Sequence, residues 1–240
     1  MAIRRDDTGF GGLILLQDTD SFCYGIDAVL LADYCRAEPS DRVLELGSGN
    51  GAASLIVMGK YSPSYVLGIE VQPRMQQLAC ETAKLNGLED RLQFVQGDVK
   101  DIREFIEAGT FDRVICNPPY AEAGRGPVSQ TDEAYIARHE TTATLQDFVS
   151  AAAYALKPGG KFTIVHRPSR LPDLFEACRS AGLEPKQMRL VIPRPGASPN
   201  IVLLTAAKGG GKELQIDSAL CVRSEDGSYS AELQRIYGRA

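Results

Sequence analysis

The chain has 240 residues, 44% of them hydrophobic and 24% charged, with a formal net charge of −5; that length can bury one sizeable core without disulfide or metal staples. The longest apolar runs, such as 28–32 and 201–204, are too short to span a bilayer, and the opening Met-Ala-Ile-Arg-Arg lacks the apolar stretch of a secretory signal. Six cysteines without a Cys-x-x-Cys pair fit reduced, buried thiols, so membrane protein, secreted scaffold and zinc module are set aside and a cytoplasmic, metal-free protein is expected.

In chain order, residues 1–40 read as a short N-terminal extension. Residues 42–46 are an apolar, β-branched run ending in Gly-Ser-Gly-Asn-Gly, and 52–58 follow as a helix. Residues 65–69 form the next strand, then 73–86 a helix with Pro73 in its first turn and Gly87 after its end. Residues 92–96 are a third strand, 102–107 a short helix, and 111–116 a fourth strand stopped by Asn117-Pro118-Pro119. Residues 121–137, rich in Gly, Ala and polar groups, make a long loop, expected to be a lid that settles on a substrate. A helix over 144–156 and a Lys-Pro-Gly-Gly turn lead into a strand over 161–166. A helix over 171–181 follows, and then two strands, 188–192 and 201–206. This alternation predicts an α/β fold, a doubly wound and mostly parallel sheet. The last two strands, with no helix between them, are expected to pair antiparallel as an edge hairpin. The sheet domain spans 41–206, and 207–240 is a tail packed on it. Charge is unevenly spread: residues 1–120 carry 11 Lys/Arg against 18 Asp/Glu, and residues 157–212 carry 10 against 3. The basic stretch is either one electropositive face or an ordinary solvated surface.

Four strand ends carry chemistry. The segment Glu45-Leu46-Gly47-Ser48-Gly49-Asn50-Gly51 is a strand running into closely spaced glycines and then a helix, which lets backbone approach a ligand. Its Gly-x-Gly-x-Gly spacing is not the dinucleotide fingerprint, and Glu45 would repel a pyrophosphate and suit a cationic ligand. Glu70, with Val71 behind it, ends the second strand about 20 residues past the glycines, where an acid can bind ribose hydroxyls. Asp98, followed by Val99, holds the matching place on the third strand and could accept from an adenine amine, although each acid alone is equally a helix cap. Asn117-Pro118-Pro119-Tyr120 after the fourth strand is a rigid platform: an amide oxygen, backbone carbonyls and a flat ring suit a planar substrate bearing an NH₂ group.

These segments resemble the class I S-adenosylmethionine-dependent methyltransferases, in the branch that carries Asn-Pro-Pro-Tyr and acts on amino nitrogens. Tyr24-Gly25-Ile26-Asp27-Ala28, Arg194-Pro195-Gly196-Ala197 and the closing Asp226-Gly227-Ser228-Tyr229-Ser230 are similar to the bacterial tRNA1(Val) adenine-37 N6-methyltransferase family. The resemblance implies a Rossmann-like sheet with S-adenosyl-L-methionine as cofactor. Glu45, Gly47, Gly49, Asn50 and Gly51 would line its methionine part together with the segment around Asp27, a residue that could equally cap the helix after it. Glu70 and Val71 would meet the ribose, and Asp98 with Val99 the adenine. Asn117 and the Pro118 carbonyl would grip the target amine, Tyr120 would stack on the flipped base, and Pro119 would line the substrate side. Arg138, His139 and Arg194 are candidate RNA contacts, with Arg4, Arg5, Arg125, Arg167 and Arg170 as further phosphate partners. With no separate RNA-binding domain, tRNA would be recognised by shape over a modest surface, which a homodimer would enlarge. The alternatives are methylation of a ribosomal RNA base, a DNA base or a protein glutamine; a nicotinamide-dependent dehydrogenase, which leaves Asn117–Tyr120 unexplained; and a non-catalytic RNA-binding module.

Overall fold

The computed structural model of the protein describes residues 3–19, 24–119 and 143–239. A hairpin of β1 (Ile3–Asp7) and β2 (Ile14–Asp18) opens the chain, followed by α1 (Ile26–Cys35). Then come β3 (Arg42–Leu46), α2 (Ala52–Tyr61), β4 (Tyr65–Glu70), α3 (Pro73–Leu85), β5 (Leu92–Gln96), a 3₁₀ segment (Val99–Glu104) and β6 (Phe111–Cys116). The second half runs α4 (Leu145–Ala155), β7 (Leu156–His166), α5 (Leu171–Ser180), β8 (Leu183–Ile192), β9 (Ile201–Lys208), the short strands β10 (Gln215–Ile216) and β11 (Leu220–Cys221), and α6 (Ala231–Ile236).

The main sheet has the order β10-β8-β9-β7-β6-β3-β4-β5, with β11 also on β8. Strands β3 to β7 are parallel, and β9 is antiparallel to both neighbours, so β8 runs with the parallel set. The doubly wound, mostly parallel sheet expected from the alternation is therefore present. The antiparallel hairpin is there too, but its second strand, β9, is inserted between β7 and β8. Burial explains that order: β9 is buried over Ile201–Ala206, whereas β8 alternates buried and half-buried residues as an outer strand does. The Lys157-Pro158-Gly159-Gly160 stretch, expected as a turn, lies inside β7 and coincides with a shift in its register against β6.

Helices cover both faces. Val43, Val66 and Ile115 face α1, α2 and α3, while Leu44, Leu46, Leu67, Ile69 and Val114 face α4 and α5. Helix α4 starts on a capping box, with Thr144 and Asp147 satisfying each other's backbone N–H. The N-terminal hairpin is tied to α3 by side chains: Asn86 both accepts from the Ile14 N–H (2.9 Å) and donates to the Ile14 carbonyl (2.8 Å), and Thr82 accepts from the Leu16 N–H. Helix α1 supplies Ala28, Val29, Leu30, Leu31 and Ala32 to the same core as the sheet. The tail lengthens the β8 edge through β10 and β11 and buries Leu220, Leu233 and Ile236. Among the described residues no helix is long and apolar enough to cross a membrane.

Candidate active site

Strand order reverses between β3 and β6, where successive connections leave toward opposite sides of the sheet, so a crevice opens beyond their carboxyl ends. It encloses about 430 Å³, counting its open mouth, and is lined by Gly47, Ile69, Glu70, Val71, Gln72, Gly97, Asp98, Val99, Asn117, Pro119 and Phe148.

Glu70 is the fixed acid of this crevice. It is 4% exposed, and its two oxygens accept from the Gly49 N–H at 2.7 Å and the Gln72 N–H at 2.9 Å. Burial raises its pKa while those backbone donors pull it down. The glycine turn is docked from below, where the Gly47 and Ser48 N–H groups both donate to the Ile69 carbonyl. Gly47 has φ +69° and lies in the crevice with only Phe148 close to where a Cβ would stand, so backbone is bared to a ligand there. Gly51 has φ +80°, and a Cβ on it would come within 2.6 Å of the Phe94 ring, which also lies against Gly68.

Glu45 has a partner already. Its Oε2 accepts the Ser54 N–H (2.9 Å) and hydroxyl (2.5 Å) in the first turn of α2, and it is not among the crevice residues. Burial pushes its pKa up to about 8, against the lowering effect of the two Ser54 bonds. Asn50 is turned the other way and donates to the Leu16 carbonyl at 3.2 Å, tethering the turn to β2. Asp98 lines the crevice and also caps the 3₁₀ segment, accepting the Lys100 N–H at 3.0 Å with the Lys100 ammonium 3.2 Å away. Asp27 lies in the first turn of α1, whose N-cap is Gly25, so it is not the cap.

Asn117 and Pro119 open into the crevice directly after β6. The Asn117 side chain makes no hydrogen bond among the described residues, leaving its amide available to a ligand. Tyr120, Arg125, Arg138, His139 and the 121–137 loop lie outside the described residues. Arg194 is exposed in the loop after β8, on the same edge of the sheet as the crevice. His166 is buried at the end of β7, its Nδ1 accepting the Arg167 N–H at 2.8 Å. The structure thus brings Gly47, Glu70, Val71, Asp98, Val99, Asn117 and Pro119 together, places Glu45, Gly49, Asn50 and Gly51 behind or beside the crevice wall, and leaves Asp27 in the first turn of α1, outside the crevice lining. Sequence reading missed Ile69, Gln72, Gly97 and Phe148. Gln72 stands two residues past Glu70 and was within reach of the strand-end argument, whereas Phe148 comes from α4 and only packing reveals it.

Residues 21–180 match the profile of the methyltransferase small domain. The chain belongs to that family. It is an S-adenosylmethionine-dependent methyltransferase. A protein of Bacteroides fragilis (strain YCH46) named tRNA1(Val) (adenine(37)-N6)-methyltransferase is 29% identical over 182 residues, 75% of either chain. A protein of the same name from Serratia proteamaculans (strain 568) is 26% identical, covering 97% of this chain and 88% of its own length. Among solved structures, a predicted O-methyltransferase, protein Atu636 of Agrobacterium tumefaciens, superposes with a TM-score of 0.72 at 23% identity, covering 89% of this methyltransferase and 97% of that chain; at that identity the likeness speaks for the fold.

The crevice of this methyltransferase fits its cofactor. A carboxylate held in place by backbone donors suits a pair of hydroxyls, the bared turn at Gly47 admits close contact, and Ile69, Val99 and Phe148 offer apolar surface to a flat base.

Proposed function

We propose that this methyltransferase transfers a methyl group to the exocyclic N6 amine of an adenine in tRNA, at position 37 of an anticodon loop. The observation that carries the reading is the end of β6, where an unengaged Asn117 amide and Pro119 open on the same crevice as Glu70 and Asp98. The names of the two relatives, one of them aligned over 97% of this chain, point to that substrate.

When bound, S-adenosylmethionine supplies a methyl group on a sulfonium, ready for in-line transfer to a nucleophile. Glu70 would accept from the ribose hydroxyls, and Asp98 and Val99 would receive the adenine. Gly47 would meet the methionine part. Glu45 works at one remove, anchoring the first turn of α2 through Ser54 and so holding the glycine turn in shape. The amine of the target adenine is a poor nucleophile because its lone pair is delocalised into the ring. The Asn117 amide oxygen and the Pro118 carbonyl would accept hydrogen bonds from its two N–H groups, which would draw the nitrogen toward tetrahedral geometry and orient its lone pair for transfer. Tyr120 stacks on the ring and Pro119 borders it. The new bond to nitrogen would replace the methyl's bond to sulfur, and the methylated amine, cationic and therefore acidic, would give up one proton to water, so no strong base is required; such orientation is worth roughly 7–11 kcal/mol in intramolecular reactions. The base must leave its stack to reach the crevice, which costs least in a loop whose purines are already splayed. A tRNA substrate places this work in the cytoplasm.

The test is methyl transfer from labelled S-adenosylmethionine to unmodified bulk tRNA, followed by nucleoside analysis. Labelled N6-methyladenosine is expected, and Asn117→Ala should abolish it while cofactor binding persists. Cofactor binding without label in tRNA would discard this substrate.

A further inference from the structure

A ladder of four planar side chains near the C-terminus has no part in the methyl-transfer site. The Arg223 guanidinium lies 5.1 Å from the Tyr229 ring centroid. The Tyr229 and Tyr237 rings stack with centroids 6.0 Å apart and planes within 7°, and the Arg239 guanidinium sits 5.0 Å over Tyr237. Arg223, Tyr229 and Arg239 are exposed and Tyr237 is half-buried. Among the described residues neither tyrosine hydroxyl has a hydrogen-bond partner, and neither guanidinium joins a salt bridge.

The ladder is built rather than draped. Asp226 accepts both the N–H (2.9 Å) and the hydroxyl (2.7 Å) of Ser228, and Gly227 takes φ +84° between them. The Ser224 N–H donates to the Ser228 carbonyl, closing a tight hairpin that pairs Arg223 with Tyr229. Arg223 also donates to the Gly227 carbonyl (2.7 Å), and Gln234 holds the Tyr229 carbonyl (2.8 Å). The closing Asp-Gly-Ser-Tyr motif is thus a device for setting Arg223 and Tyr229 side by side.

Its position follows from strand direction. Strand β11 pairs parallel to the end of β8, with Leu220 opposite Val191 and Cys221 opposite Ile192, and the Val222 N–H donates to the Ile192 carbonyl. The chain therefore leaves the sheet past the carboxyl end of β8, on the edge where β6 ends in Asn117. Arg194 stands two residues beyond Ile192, as Arg223 stands two beyond Cys221, and it too joins no salt bridge among the described residues. Exposed rings sandwiched by cations are a poor use of surface for stability alone. They match what single-stranded nucleic acid offers, since a base stacks on a ring and guanidinium groups hold the phosphates around it.

We propose that the Arg223–Tyr229–Tyr237–Arg239 ladder docks an unpaired stretch of the RNA substrate, one base taking the place of the exposed Arg223 guanidinium on Tyr229 while Arg223 and Arg194 turn to the flanking phosphates. The proposal rests on the RNA reading above. The test uses the full-length protein and a fluorescent anticodon stem-loop RNA with an unmodified adenine 3′ of the anticodon. Tyr229→Ala should weaken RNA binding about tenfold, about 1.4 kcal/mol, raising KM for RNA with kcat and cofactor affinity kept, and Tyr229→Trp should restore it. Arg223→Ala should lower the salt dependence of binding by about one phosphate contact, a readout that stands if the Tyr229→Ala protein is unstable. RNA binding and methylation unchanged in both Tyr229→Ala and Arg223→Ala would overturn the ladder and leave the RNA reading intact. A wild-type protein that binds the cofactor yet neither binds nor methylates RNA would remove that reading, and the ladder with it.

Discussion

The Glu45 carboxyl joins β3 to α2, and its titration should be visible in the stability of the whole protein. It is 3% exposed and accepts two bonds from Ser54. Burial moves its pKa from 4.5 to about 8, with the nearby Glu70 carboxylate adding to the rise. In the unfolded chain the proton leaves near the ordinary value, whereas the folded chain keeps it until about 8. Between those limits the folded state binds more protons, so stability is greatest below the lower one and falls as pH rises. The slope is about 1.4 kcal/mol per pH unit, and the whole window amounts to about 5 kcal/mol. Urea unfolding of the wild type and of Glu45→Gln at a series of pH values from about 5 to 9 isolates the effect. Glutamine keeps an acceptor for Ser54 but carries no titrating proton. The advantage of Glu45→Gln over the wild type should grow with pH and flatten above about 8. Parallel curves for the two proteins would show that Glu45 ionises without cost, and the account of its burial would be wrong.

Two further substitutions probe the crevice and its support. Glu70→Gln replaces a carboxylate that accepts from the Gly49 and Gln72 N–H groups with an amide that can accept on one side only, so calorimetric titration with S-adenosylhomocysteine should show affinity reduced roughly ten- to a hundredfold; an unchanged affinity would take Glu70 out of the cofactor site. Gly68→Ala puts a Cβ 2.3 Å from the Phe94 ring and 2.8 Å from the Ser48 hydroxyl. Overpacking of that kind costs about 1–3 kcal/mol, lowering the thermal midpoint by roughly 2–12 °C, and Phe94→Leu in the same chain should return part of it; two additive losses would mean that the ring is not the obstacle.

Much of the site was legible because each chemical residue stands at the end of an apolar run, and a parallel sheet gathers strand ends on one edge. Glu70, Asp98 and Asn117 fall together in the crevice for that reason alone. What strand ends do not reveal is the face on which a side chain lies. Alternation puts Val43 and Glu45 on the side of α1 and α2, and Leu44 and Leu46 on the other. Glu45 therefore meets Ser54, but strands buried on both faces are apolar at nearly every position and hide the alternation that would have said so. The same property hid the place of β9, whose unbroken apolar run marks an inner strand once the alternating β8 is set beside it. Asn50 shows a third limit: its polar side chain in a glycine turn reads as a ligand contact, but the Leu16 carbonyl that it satisfies belongs to a hairpin 34 residues away. Asp226-Gly227-Ser228 marks the opposite case. As residues they announce a turn and nothing more. The ring and guanidinium that the turn sets side by side become a surface only when Tyr237, Arg239 and the end of β8 are brought alongside, so contacts distant in sequence turn a local turn into the four-membered ladder on which the proposed RNA docking rests.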